Sequence, residues 1–149
     1  MINEVISKNI IYIDKNNSIK DASILMKKNN IGFLPIKDDN KYIGVITDRD
    51  ICLSLSSIKS IDDKVTDYMT KDIIYINYSF TFDEALDTMA HFKVKRLLVK
   101  EKDNVIGILS LSDIIKYYSS NKIINTIKTI FYIHDSINYN SSEIDEFYL

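Results

Sequence analysis

Two hydroxyl–carboxylate pairs stand out in this chain: Thr47 with Asp50, and Ser110 with Asp113. Each follows a glycine in a matching phrase, G-V-I-T-D-R-D-I (Gly44–Ile51) and G-I-L-S-L-S-D-I (Gly107–Ile114). If a helix starts at the hydroxyl, that side chain can accept from a backbone N–H one turn on. The carboxylate then lies at the positive end of the helix, so the pair is a helix cap. The same atoms can serve a ligand. A strand running through glycine into a helix N-terminus presents N–H groups to an anion such as phosphate. The hydroxyl can donate to phosphate or sugar, and the carboxylate can accept from both hydroxyls of a ribose. The pattern suits a nucleotide without requiring one, since Ser18 and Asp21 have the same spacing as a plain cap.

The two phrases lie 63 residues apart, and between the matching anchors that register never slips, ending after about Lys116. K-N-I-I-Y-I (Lys8–Ile13) recurs as K-D-I-I-Y-I (Lys71–Ile76), Ala22 falls on Ala85, Met26 on Met89, Leu34 on Leu97 and Lys37 on Lys100. A tandem duplication follows, and the order in each copy is β-α-β-β-α. Ile10–Ile13 and Ile73–Ile76 read as strands from their β-branched and aromatic content. S-I-K-D and T-F-D-E open helices whose apolar residues recur at helical spacing. Hairpins follow, Phe33–Lys37 with Tyr42–Ile46 and Arg96–Lys100 with Val105–Leu109, turning through polar residues. A unit of roughly 60 residues is marginal alone, so the copies are expected to share a core. The limits are residues 1–57 for the first repeat, 58–66 for a linker, 67–120 for the second repeat, and 121–149 for a helix and acidic tail. Within that extension Ile123–Ile133 reads as a continuation of the last helix, with Ile123, Ile127 and Phe131 on one face.

The composition excludes several classes. With a net charge of −2 and a pI near 5.7, the chain has no cationic footprint for nucleic acid. No apolar run reaches the length of a membrane span, and the first residues lack the layout of a signal peptide, so a cytoplasmic protein is expected. Cys52 reads as a small core side chain, and Tyr12 and Tyr75, matched by the duplication, as packing residues. His91 and His134 have no partners at metal-ligand spacing, and no nucleophile–base pair or phosphate-binding glycine loop is present. An enzyme is not expected, and neither is a metal.

V-T-D-Y-M-T-K-D (Val65–Asp72), G-F-L-P-I (Gly32–Ile36) and R-L-L-V (Arg96–Val99) complete a pattern with the two glycine phrases. Over residues 5 to 118 it resembles paired cystathionine β-synthase (CBS) domains, the Bateman module. The resemblance implies an α/β (α+β) fold: two pseudo-symmetric repeats packed sheet to sheet, with a C-terminal helical and tail extension. It implies a regulatory sensor of adenosine-containing ligands, AMP, ADP or ATP among them, with no catalysis and no required cofactor. Each cleft would take its hydroxyl and Asp from one copy and its base-contacting strand residues from the other. One would use Thr47 and Asp50 with Ile73, Ile74, Val94 and Arg96; the other Ser110 and Asp113 with Ile10, Ile11, Ile31 and Gly32. Arg96 falls where related modules often place a phosphate-binding Arg, whereas its counterpart is Phe33. Asp48 is acidic where Leu111 is apolar, so unequal sites are expected. Neither has the cationic cluster to hold a triphosphate without a metal, which favours a monophosphate, a diphosphate or an adenosyl ligand. The resemblance also implies a homodimer signalling to a protein partner. The alternative is a dimeric interaction scaffold that binds no ligand, its Asp50 and Asp113 serving only as caps.

Overall fold

The structure, a computed structural model, describes residues 2–57 and 60–131. The chain forms two compact units, one from Ser7 to Tyr75, the other from Ile76 onward together with the residues up to Ile6.

In the first unit, β1 (Ile13–Asp14) leads to α2 (Ile19–Asn29), then to the hairpin β2 (Phe33–Asp38) and β3 (Lys41–Thr47), and on to α3 (Asp48–Ser54). A short helix α1 (Ile2–Val5) precedes them. The sheet order is β1-β2-β3, with β1 parallel and β3 antiparallel to β2. Ser18 and Asp21 form a reciprocal capping box that starts α2, and Asn30 ends it in the left-handed region (φ 51°). One face of α2, Ile19, Ala22 and Met26, meets Leu34, Ile36 and Ile46 from the sheet and Val65 from the connecting segment. This cluster is the core of the unit.

The second unit repeats the plan: β4 (Tyr75–Asn77), α4 (Phe82–Phe92), β5 (Arg96–Glu101), β6 (Asn104–Ser110) and α5 (Leu111–Tyr117). The sheet order is again sequential. Ala85, Leu86, Met89, Leu97, Leu98, Val99, Leu109 and Ile114 are fully buried. The duplication extends to backbone detail. Both hairpins shift register at the same place, between Ile36 and Lys37 and between Val99 and Lys100. Among the described residues, the four non-glycine residues with positive φ pair off in the same way, Asn30 with Lys93 and Asp39 with Lys102. The short α1 packs against α5, burying Ile2.

Three expectations change. The first strand of each copy begins later than Ile10 and Ile73, because in the first copy β2 offers partners only at Ile36 and Lys37. The extension does not continue α5. Tyr118 is extended (φ −132°, ψ 139°), and a separate helix, α6, runs from Asn121 to Phe131. It packs on α4 with Ile123, Thr126 and Ile130 buried and Phe131 55% exposed. Residues spaced four apart drift about 80° around a helix over eight positions, whereas steps of three and four stay on one stripe. Cys52 is exposed, as is Ile115 at the same position of the second copy. The inward positions of α5 are Leu111 and Ile114, which turns residue 115 outward. The acidic tail and His134 lie outside the described residues.

Candidate ligand-binding motifs

Each glycine phrase runs from the middle of a strand into the first turn of a helix. Thr47 closes β3 with extended backbone (φ −116°, ψ 164°) and is the N-cap of α3. Its Oγ1 accepts from the Asp50 N–H at 3.1 Å, while Asp50 Oδ2 accepts from the Thr47 N–H and hydroxyl, both at 2.8 Å. Ser110 and Asp113 repeat this arrangement at α5. There the Ser110 N–H donates to Asp113 Oδ2 at 3.0 Å, and Ser110 Oγ lies 2.7 Å from Ser112 Oγ. Both carboxylates are half-buried. Their geometry matches the boxes at Ser18–Asp21 and Thr81–Glu84, whose acids are exposed. At those two, the acid is held below the ordinary carboxylate range, chiefly by the backbone N–H of Ser18 or Thr81 and then by its hydroxyl. Among the described residues, no hydrogen bond engages Oδ1 of Asp50 or Asp113. Each motif is therefore a complete cap that keeps one carboxylate oxygen to offer.

The start of the central strand lies against the motif of its own copy. Phe33 pairs with Thr47 and Arg96 with Ser110 across the hairpins. The Asp48 N–H donates to the Gly32 carbonyl at 3.2 Å, and the Leu111 N–H to the Lys95 carbonyl at 2.8 Å. A Cβ on Gly32 would come within 2.3 Å of Asp48 Oδ2, the far end of an exposed side chain that can swing aside, so the close approach here is carried by the backbone hydrogen bond. Ile31 and Gly32 thus lie beside Thr47, and Val94 and Arg96 beside Ser110; all four are half-buried. Ile10, Ile11, Ile73 and Ile74 are also half-buried and directly precede β1 and β4, with Ile11 packed against the first core. Asp48 Oδ1 accepts from the Arg49 N–H. The expected asymmetry of residue type is present: Asp48 is exposed where Leu111 is buried.

Gly44 itself makes no turn. It lies inside β3, opposite Ile36. Met69 and Thr70 cross over it: Val45 and Thr70 exchange two backbone hydrogen bonds of 2.9 Å. A Cβ at Gly44 would meet Met69 Sδ at 2.5 Å and the Thr70 carbonyl at 2.9 Å. This strap was not anticipated, although a glycine inside a strand is a signal for such an approach.

Elsewhere in the first unit, Lys37 Nζ lies 4.3 Å and 5.0 Å from the ring centroids of Tyr12 and Tyr42. Burial raises the Tyr42 and Tyr75 hydroxyls above the usual tyrosine range. His91, in the last turn of α4, packs edge-on against Phe92. Among the described residues no group of three His, Cys, Asp or Glu is placed to hold a metal, and no helix is long and apolar enough to cross a membrane.

A family model described as the CBS domain matches this chain twice, over residues 2–57 and 65–120. The chain belongs to the CBS-domain family. It is 25% identical over 122 residues to the CBS domain-containing protein YhcV of Bacillus subtilis, covering 81% of this chain and 87% of YhcV. It is 35% identical over 118 residues to the inosine-5'-monophosphate dehydrogenase of Methanocaldococcus jannaschii. That match spans 76% of this chain but only 22% of the enzyme, and so assigns no catalytic role here. Among solved structures, the CBS protein TA0289 of Thermoplasma acidophilum shares the fold with a TM-score of 0.77 at 22% identity, over 86% of this chain and 74% of its own. The CBS domain pair of protein MJ0100, in complex with 5'-methylthioadenosine and S-adenosyl-L-methionine, aligns with a TM-score of 0.69. There the identity is 27%, over 78% of this chain and 93% of that one. The α+β CBS pair that the resemblance implied is the fold of the molecule.

Proposed function

We propose that this CBS pair is a regulatory module that binds an adenosine-containing ligand at its two hydroxyl–carboxylate motifs. The observation that carries this reading is the one carboxylate oxygen left at each half-buried motif, beside a strand start that closely abuts the helix. The adenosyl ligands of the MJ0100 pair support the ligand class. Thr47 and Ser110 would meet phosphate or ribose, and Asp50 and Asp113 the ribose hydroxyls. Ile10, Ile11, Ile31, Gly32, Ile73, Ile74 and Val94 would face the base, and Arg96 a phosphate. AMP, ADP and adenosyl ligands without a phosphate chain suit this set better than ATP, because Arg96 is the one cation in it. The output passes by association, through a homodimer and a partner protein in the cytoplasm. A ligand shifts such an equilibrium only by binding one state more tightly than the other.

A second reading, the scaffold that binds no ligand, draws on the completeness of the four capping boxes. Thermal unfolding with AMP, ADP, ATP, S-adenosylmethionine and 5'-methylthioadenosine separates the two. At about a hundred times Kd a ligand adds roughly 2.7 kcal/mol, a rise of about 5–10 °C for a chain of this length. Asp50→Ala and Asp113→Ala should abolish the rise at their own motif. Asp21→Ala and Glu84→Ala, which break equivalent caps away from the motifs, should keep it. No rise with any of the five ligands in the folded wild type selects the scaffold.

A further inference from the structure

Three contacts fix how α6 lies along α4. The Tyr118 hydroxyl donates to Asp83 at 3.1 Å, Lys122 Nζ donates to Asp87 at 2.6 Å, and Lys95 Nζ lies 4.6 Å from the centroid of the Phe131 ring. The partners advance together, so α6 runs in the same direction as α4 and ends beside the residues that follow it. Those residues carry positive charge. Lys93 ends α4 in the left-handed region and Lys95 precedes β5, and both are exposed. Phe92, next to Lys93, is 50% exposed.

The chain beyond Phe131 is of opposite charge. Residues 132–149 contain Asp135, Glu143, Asp145 and Glu146 and no Lys or Arg, and they close on E-I-D-E-F-Y-L. We propose that residues 143–149 dock on the Lys93–Lys95 strip of the same chain, their carboxylates against the two ammonium groups and Phe147 and Tyr148 against the exposed Phe92 ring. The connection allows it: residues 132–149 reach roughly 60 Å when extended, and they start beside the strip. A tether of this kind keeps the segment at an effective concentration on the order of millimolar, so individually weak ion pairs suffice. The docking surface also borders a ligand motif, since the Lys95 carbonyl holds the Leu111 N–H next to Ser110.

Zero-length carbodiimide cross-linking of the full chain, read by mass spectrometry, tests the proposal. An equal mixture of nitrogen-15 and unlabelled protein separates links within a chain from links between chains. Lys93 and Lys95 should link to Glu143, Asp145 or Glu146 within one chain, at several times the yield of the exposed Lys27 and Lys28. The yield should fall several-fold as salt rises from about 0.1 M to 1 M and the Debye length shrinks from about 10 to 3 Å. Lys93→Glu with Lys95→Glu should abolish the links, and adding Glu143→Lys with Glu146→Lys should restore them with the charges exchanged. Links spread evenly over the surface lysines, or found mainly between chains, would overturn the assignment.

Discussion

Gly44→Ala should destabilise the first unit sharply. The new Cβ would lie 2.5 Å from Met69 Sδ and 2.9 Å from the Thr70 carbonyl oxygen. The thioether can swing aside. The carbonyl cannot, because it accepts the Val45 N–H at 2.9 Å while the Thr70 N–H donates back to the Val45 carbonyl. Relief therefore breaks both hydrogen bonds, each contributing about 1 kcal/mol net, or forces an overpacking strain of about 1–3 kcal/mol. A loss of about 2–4 kcal/mol follows, against a gain of at most about 1 kcal/mol from a stiffer unfolded chain. In thermal unfolding this is a fall of roughly 5–15 °C. Adding Met69→Ala should recover little of it, because the backbone contact remains. A neutral or stabilising Gly44→Ala, or full rescue by Met69→Ala, would refute the claim that the glycine admits the Thr70 backbone.

The buried face of α6 is tested by two truncations. Ile130→Ala, at a buried position, should cost about 2–4 kcal/mol in denaturant unfolding. Phe131→Ala, which loses mainly its contact with Lys95, should cost under about 1 kcal/mol; equal costs would contradict the observed register. The capping acids predict a pH dependence. Asp21 and Glu84 are held below the ordinary carboxylate range, so their contribution is present above that range and is lost as pH falls through their folded-state pKa values. The melting-temperature gap between wild type and the Asp21→Asn, Glu84→Gln double variant should therefore narrow as pH is lowered from 7 to about 2. A constant gap would remove ionisation as its source.

Much of this molecule is local, and local features are legible in one dimension. The helix starts at Ser18, Thr47, Thr81 and Ser110 follow from side chains that satisfy N–H groups within one turn. The period of α2 and α4 and the 63-residue register likewise depend only on neighbours in sequence and on repetition. What required tertiary structure were the choices among partners. How far β1 extends depends on which β2 residues lie opposite, and the outward turn of Cys52 depends on which side of α3 the sheet covers. The stripe of α6 was misread because spacing alone admits two faces, and only contact with α4 selects one. The purpose of Gly44 depends on a strap more than twenty residues away in the chain. Its chain-neighbour pattern cannot encode that contact, because close approach of two backbones is a property of the packed pair.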